Sequence, residues 1–318
     1  MRTVRPGMFA GGGRVLRLTP RPVPGPPGRE DAAMHRETIG NPLSWSAQKL
    51  AGIGRSAGAA VDGIGSHEMT LPEVNRIGLG DIRAALRKGV KDFAALRTDV
   101  ITAVALYPVI GFVLAAWAFN AGQVHLLFPL AAGFPLIGPV AAIGLYEMSR
   151  RRERGEETDW SAVLATLTGR VLGPVLMLGC LLAVIFAFWL LAAHAIWVVT
   201  LGPGPYDSLS VLLRDALTTS AGWTMVLAGF GVGFVFAAVV LCVSLVSFPM
   251  LIDRPVGVPV ALATSLAVAR RNPGTTALWG VIVTVSLVLG MIPLFAGLIV
   301  VLPILGHATW HLYRRAVA

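Results

Sequence analysis

Charge is scarce in this chain of 318 residues: Asp, Glu, Lys and Arg make up 14% of it, where an ordinary soluble domain carries roughly 25%. With 55% hydrophobic residues and a mean hydropathy of +0.72, that scarcity excludes a water-soluble globular protein. Cysteine is scarcer still. Cys180 and Cys242 are the only two, and they form no CxxC pair, which excludes a disulfide framework and a four-thiolate metal site. A nucleophile elbow, an HExxH motif, a Walker lysine and an acidic Mg²⁺ cluster are all missing. Mid-membrane carboxylates, which ion-coupled transport usually needs, are missing too. The chain therefore reads as non-enzymatic and implies no cofactor.

What is present is apolar length. From Val100 onward five apolar runs appear, at roughly 100–119, 124–147, 171–199, 223–252 and 275–313. A span needs about 20 residues to cross about 30 Å of hydrocarbon. The last run is too long for one span, and Gly290, Pro293 and Gly297 divide it near Met291 to Leu294. That makes six spans. Residues 71–315 form the membrane domain, and 1–70, rich in Pro, Gly and Arg, read as a disordered tail. Met34 offers an alternative start, since everything before it is low-complexity sequence. With six spans, 25 of the 26 Lys and Arg residues fall on one side. Basic short loops stay in the cytoplasm, so both termini are expected there, in a bacterial inner membrane. The net charge of +9 is then topological, and nucleic acid is not expected as a partner.

A short amphipathic stretch precedes each pair of spans. The first, Asp81 to Leu96, sets Ile82, Leu86, Val90 and Phe93 against Arg83, Arg87, Lys88 and Lys91, with Asp81 available as N-cap. The second carries Trp160, Val163, Leu164 and Leu167, and the third Val258, Leu262, Leu266 and Ala269. All three are expected to lie at the membrane interface on the cytoplasmic side. Pro129 to Gly133 also parallels Pro293 to Gly297 without gaps, so an all-α bundle of three units, each a surface helix plus a transmembrane hairpin, is expected.

Few residues offer chemistry. His307 and His311 stand four apart on one helical face, a spacing that lets two imidazoles share a metal or haem, although two ligands make half a site. Glu147 beside Arg150 reads as a paired carboxylate near the end of span two. His194, near Trp189 and Trp197, belongs at the outer interface. Cys180 and Cys242 are placed at similar depth. Gly229, Gly233 and Ala237 follow the small-xxx-small spacing of close helix contacts. Leu209, Leu212, Leu213 and Leu217 form a short outer helix capped by Asp207 or Ser208. Pro108, Pro135 and Pro139 are expected to kink the first two spans.

Four segments carry a resemblance: Ile77 to Phe93 (IGLGDIRAALRKGVKDF), Tyr107 to Gly111, the Arg271-Asn272-Pro273 turn, and Gly306 to Arg314 (GHATWHLYR). They resemble a bacterial family of predicted integral membrane proteins, domain-of-unknown-function family 2189, over roughly Leu71 to Arg315. The resemblance implies a six-span inner-membrane protein and no catalytic residues. The expected partners are the lipid bilayer, a membrane or cytoplasmic protein, and a second copy of the chain. A channel or exporter for a neutral or amphiphilic solute is the alternative reading.

Overall fold

The computed structural model describes residues 71–104, 106–120, 122–133, 138–158, 171–202, 206, 208–293 and 295–318. The 1–70 tail, the second surface helix with Trp160 and Leu164, and Pro135 lie outside the described residues. Every regular element among those described is helical: α1 (Leu79–Val104), α2 (Leu106–Asn120), a 3₁₀ turn (Val124–Leu126), α3 (Leu127–Gly133), α4 (Gly138–Ala141) and α5 (Ile143–Arg154). There follow α6 (Leu172–Thr200), α7 (Leu209–Thr218), α8 (Ser220–Ser244), α9 (Ser247–Asp253), α10 (Val258–Arg271), α11 (Pro273–Met291) and α12 (Leu298–Ala316).

Proline decides where many of these helices begin. Pro129, Pro174, Pro249, Pro259 and Pro273 each fall within the first three residues of a helix. N–H groups of a first turn have no intrahelical acceptor, so a residue without one loses nothing there. The bends expected at Pro108 and Pro139 fall beside residues 105 and 134–137, which lie outside the described residues. The second apolar run is no single helix. Its described residues form the 3₁₀ turn, α3, α4 and α5, with a turn at Ala142 between the last two.

Three helices are long and apolar enough to cross a membrane, among the described residues: Leu172–Thr200, Ser220–Asp253 and Pro273–Met291. The second of these bends at Leu245 and Val246, between α8 and α9. The long last run divides where expected. Phe295 takes a left-handed φ of 65°, and Gly290 and Gly297 meet so closely that a Cβ on Gly297 would lie 2.8 Å from the Gly290 Cα. Without side chains at those two points, α12 turns back against α11.

Among the described residues the core gathers at one end of the long apolar helices. Ile82 and Ala85 of α1, Tyr146 of α5, Phe248 and Met250 of α9, Val258 and Ala261 of α10, and Trp310 and Tyr313 of α12 belong to one buried cluster. The long apolar helices contribute their ends to it, and elsewhere stand largely uncovered. In the most apolar 18-residue stretch of Leu172–Thr200, Ser220–Asp253 and Pro273–Met291, the buried share is 22%, 6% and 17%. Such apolar faces suit hydrocarbon, which makes no demand for burial inside the protein.

Two of the sequence-derived faces are corrected. On α1 the buried side is Ile82, Ala85, Gly89 and Asp92, with Leu86 and Phe93 half-buried beside them, whereas Val90 is 49% exposed. Helix α1 thus spends its inner side on α12 rather than on lipid. The close approach explains why: a Cβ on Gly89 would lie 2.7 Å from the Ile304 carbonyl oxygen and 2.8 Å from the Ala308 nitrogen. On α10 the buried residues are Val258, Val260, Ala261, Thr264, Ser265, Val268 and Ala269, while Leu262 is half-buried and Leu266 exposed. The helix buries its small and weakly polar face because Ser265 Oγ reaches the Cys242 carbonyl at 2.7 Å.

Candidate functional site

The polar residues of this membrane chain gather at the core end, where α1, α5, α9 and α12 meet. Asp92 is at the centre. Its Oδ2 accepts from Ser149 Oγ at 2.7 Å and from His311 Nε2 at 2.8 Å, and its Oδ1 lies 3.2 Å from Arg152 Nε. Ser149 has one proton, given to Asp92, so its oxygen accepts from His307 Nδ1 at 2.7 Å. The result is a directed relay from α12 through α5 to α1 and back to α12. Burial raises the Asp92 carboxyl, but the hydrogen bonds from His311 and Ser149 outweigh it and hold the group below the usual carboxylate range.

A ring of ion pairs surrounds the relay. Glu147, fully buried, faces Arg151 at 2.7 Å and Arg150 at 3.4 Å. Tyr313 donates to Asp253 at 2.8 Å, Arg314 pairs with Asp253 and Glu153, and Trp310 donates to Glu153. Arg315 pairs with Asp81, whose other oxygen caps α1 by accepting from the Gly78 N–H. Asp81 therefore closes the first turn from inside the helix, a correction to its expected place as the N-cap itself. That backbone bond, ahead of Arg315, keeps the Asp81 carboxyl below its ordinary value.

A third set of bonds ties the segment before α1 to the α10–α11 turn and to the residue after α12. Val74 and Val317 form the antiparallel bridge, and Asn272 closes it by accepting from the Ile77 N–H at 2.9 Å and donating to the Asn75 carbonyl at 3.0 Å. The segments Ile77 to Phe93, Arg271 to Pro273 and Gly306 to Arg314, far apart in sequence, are therefore neighbours in space.

Chemically the arrangement is a latch. Although serine, histidine and aspartate are all present, the serine proton points to the carboxylate rather than to a histidine base. Ser149 and His307 are also fully buried, out of reach of a substrate. His307 and His311 each commit a ring nitrogen to the Asp92 and Ser149 pair. No group of three or more His, Cys, Asp or Glu among the described residues is arranged to hold a metal ion.

The remaining sequence-derived candidates scatter. Cys180 is exposed and Cys242 half-buried, both as free thiols. Gly233 packs on the Trp189 ring, Gly229 meets nothing within 4 Å, and Ala237 is exposed. Ser208 caps α7, accepting from the Val211 N–H. Sequence reasoning passed over His125, which lies 2.9 Å from His194 and stacks on Trp197 at 3.7 Å. It also passed over Asp92, Ser149 and Asp253.

A sealed polar latch joined to bare apolar helices defines an integral membrane protein. The sequence matches the family described as Predicted integral membrane protein (DUF2189) over residues 127–253, a stretch that takes in Ser149 and Asp253 but neither α1 nor α12. No curated protein and no solved structure matches the chain.

Proposed function

We propose that the chain crosses a bacterial inner membrane six times with both termini in the cytoplasm, as a non-enzymatic protein that assembles with other membrane helices. The bare face of α8 carries this reading. Only 6% of the apolar stretch of Ser220–Asp253 is covered by the rest of the chain, and Leu227, Phe230 and Phe234 are more than 60% exposed. Gly229 and Gly231, with nothing within 4 Å, let another helix come close between those aromatic side chains. The latch supports the same reading, since it fixes the helix ends without offering a reactive group to solvent.

A second copy of the chain is the partner to test first. In a C180S/C242S background, a single cysteine at Phe234 is expected to cross-link between copies in reconstituted vesicles, and one at Leu266 is not. F230A/F234A should lower association several-fold. Single copies at every protein-to-lipid ratio would overturn assembly between copies. Topology has its own test: a reporter fused after Ala318 should be active only in the cytoplasm, and an externally accessible carboxyl terminus would overturn the six-span reading.

One observation favours the alternative, a channel or exporter for a neutral or amphiphilic solute. A cleft of about 430 Å³ opens between α6 and α8, lined by Ile185, Phe188, Leu191, Val235, Phe236 and Val239. Its hydrocarbon walls suit an acyl chain and offer nothing to an ion.

A further inference from the structure

Six cations at the latch end have a carboxylate partner: Arg150 and Arg151 share Glu147, Arg152 faces Asp92, Arg154 and Arg314 share Asp253, and Arg315 holds Asp81. Helix α1 is the contrast. Arg83, Arg87, Lys88 and Lys91 are all exposed and none has an ion-pair partner among the described residues. At 100° per residue they cover the side of α1 opposite Ile82, Ala85, Gly89 and Asp92, the side pressed against α12. Leu79 and Val90, about half exposed, border the cations along one flank.

The level of this face is fixed by α12. Gly89 touches α12 at Ile304 and Ala308, the point where the apolar stretch Leu298 to Gly306 gives way to His307, His311, Arg314 and Arg315. Lys88 and Lys91, one turn of α1 around Gly89, stand at that same boundary. Next in the chain is α2, whose Phe112, Val113, Trp117 and Phe119 are exposed apolar side chains. Unpaired cations with an apolar flank, at the edge of a hydrocarbon layer, match one surface: a leaflet bearing anionic headgroups.

We infer that the outer face of α1 is a binding surface for anionic phospholipid, with Arg83, Arg87, Lys88 and Lys91 engaging the headgroup phosphates while Leu79 and Val90 enter the acyl boundary. The inference rests on the six-span reading, which sets this face on the cytoplasmic leaflet, and not on assembly through α8. A cation held at an anionic leaflet is worth roughly fivefold in partitioning. The four together should therefore select anionic over zwitterionic lipid clearly.

The test uses the full chain in vesicles of phosphatidylcholine and phosphatidylglycerol at three to one, read with spin-labelled forms of each lipid. Wild type is expected to retain labelled phosphatidylglycerol about threefold or more over phosphatidylcholine. R83Q/R87Q/K88Q/K91Q should bring that ratio close to one while helical content stays constant. Should the fourfold variant fail to reconstitute, K88Q/K91Q and R83Q/R87Q are each expected to lose part of the preference. R214Q, at the other end and paired with Asp215, should lose none. Inorganic phosphate in millimolar excess should leave the ratio unchanged; its collapse would assign the face to free phosphate and overturn the inference. A preference that survives the fourfold substitution would overturn it as well. Cross-linking through Phe234 in the same vesicles reports on assembly separately, so either reading can fail alone.

Discussion

Replacing Asp92 with alanine is expected to destabilise the protein by about 3–5 kcal/mol, the cost of stripping one member from a buried charged network. Three groups lose their acceptor at once: His311, Ser149 and Arg152. Once Asp92 is gone, Ser149 is left without its acceptor between α5 and α12. S149A should cost less, about 1–3 kcal/mol, because Asp92 keeps His311 and Arg152. The folded-state carboxyl of Asp92 lies below its ordinary value, so its contribution is complete above the ordinary carboxylate range. That contribution is lost as pH falls through the depressed value. The groups facing it are His311, Ser149, Arg152 and, through the serine, His307. Acid should therefore loosen the wild type, and D92N should show a smaller loss on acidification. Unfolding in detergent, followed by helical signal as a function of pH, gives both slopes; equal acid sensitivity in the two proteins would remove Asp92 from the latch.

The pattern on α1 shows why this site was only partly legible. Reading Ile82, Leu86, Val90 and Phe93 as the membrane-facing stripe lets the face drift around the helix, and the drift passes over Gly89 and Asp92. Both belong to the inner face. A carboxylate among apolar neighbours was the available signal, but three adjacent cations made Asp92 look like part of a solvated surface. His307 and His311 were visible by their spacing, though their use was not, since the groups they bind lie 158 and 219 positions away in sequence. Apolar runs at Val171 and after Gly222 were legible as helices because length and composition alone decide them. The run at 124–147 was not, because Pro129 opens α3 directly after a 3₁₀ turn and a turn at Ala142 separates α4 from α5, divisions that hydropathy does not register. Gly290 and Gly297 announced the last turn, and only the backbone contact between them tells why both must be glycine.

Glycine supplies the sharpest contrast for experiment. Gly89→Ala places a methyl group against backbone atoms of α12, at 2.7 Å from the Ile304 oxygen and 2.8 Å from the Ala308 nitrogen. Backbone cannot rotate away as a side chain can, so α1 must move outward. That movement draws Asp92, one turn further along, out of range of His311 and Arg152. The expected cost is about 2–3 kcal/mol for Ala, with a larger cost for Val, which adds a branched Cβ at the same contact. Gly231→Ala sits at the other extreme. Nothing lies within 4 Å of its Cβ position in α8, and alanine there relieves the entropy cost of glycine in a helix, so about 0.5–1 kcal/mol of stabilisation is expected. The two substitutions are chemically identical and should move the unfolding midpoint in opposite directions. A Gly89→Ala protein as stable as wild type would mean that α1 does not pack on α12 at this distance. Asp92 would then have to reach His311 by some other path.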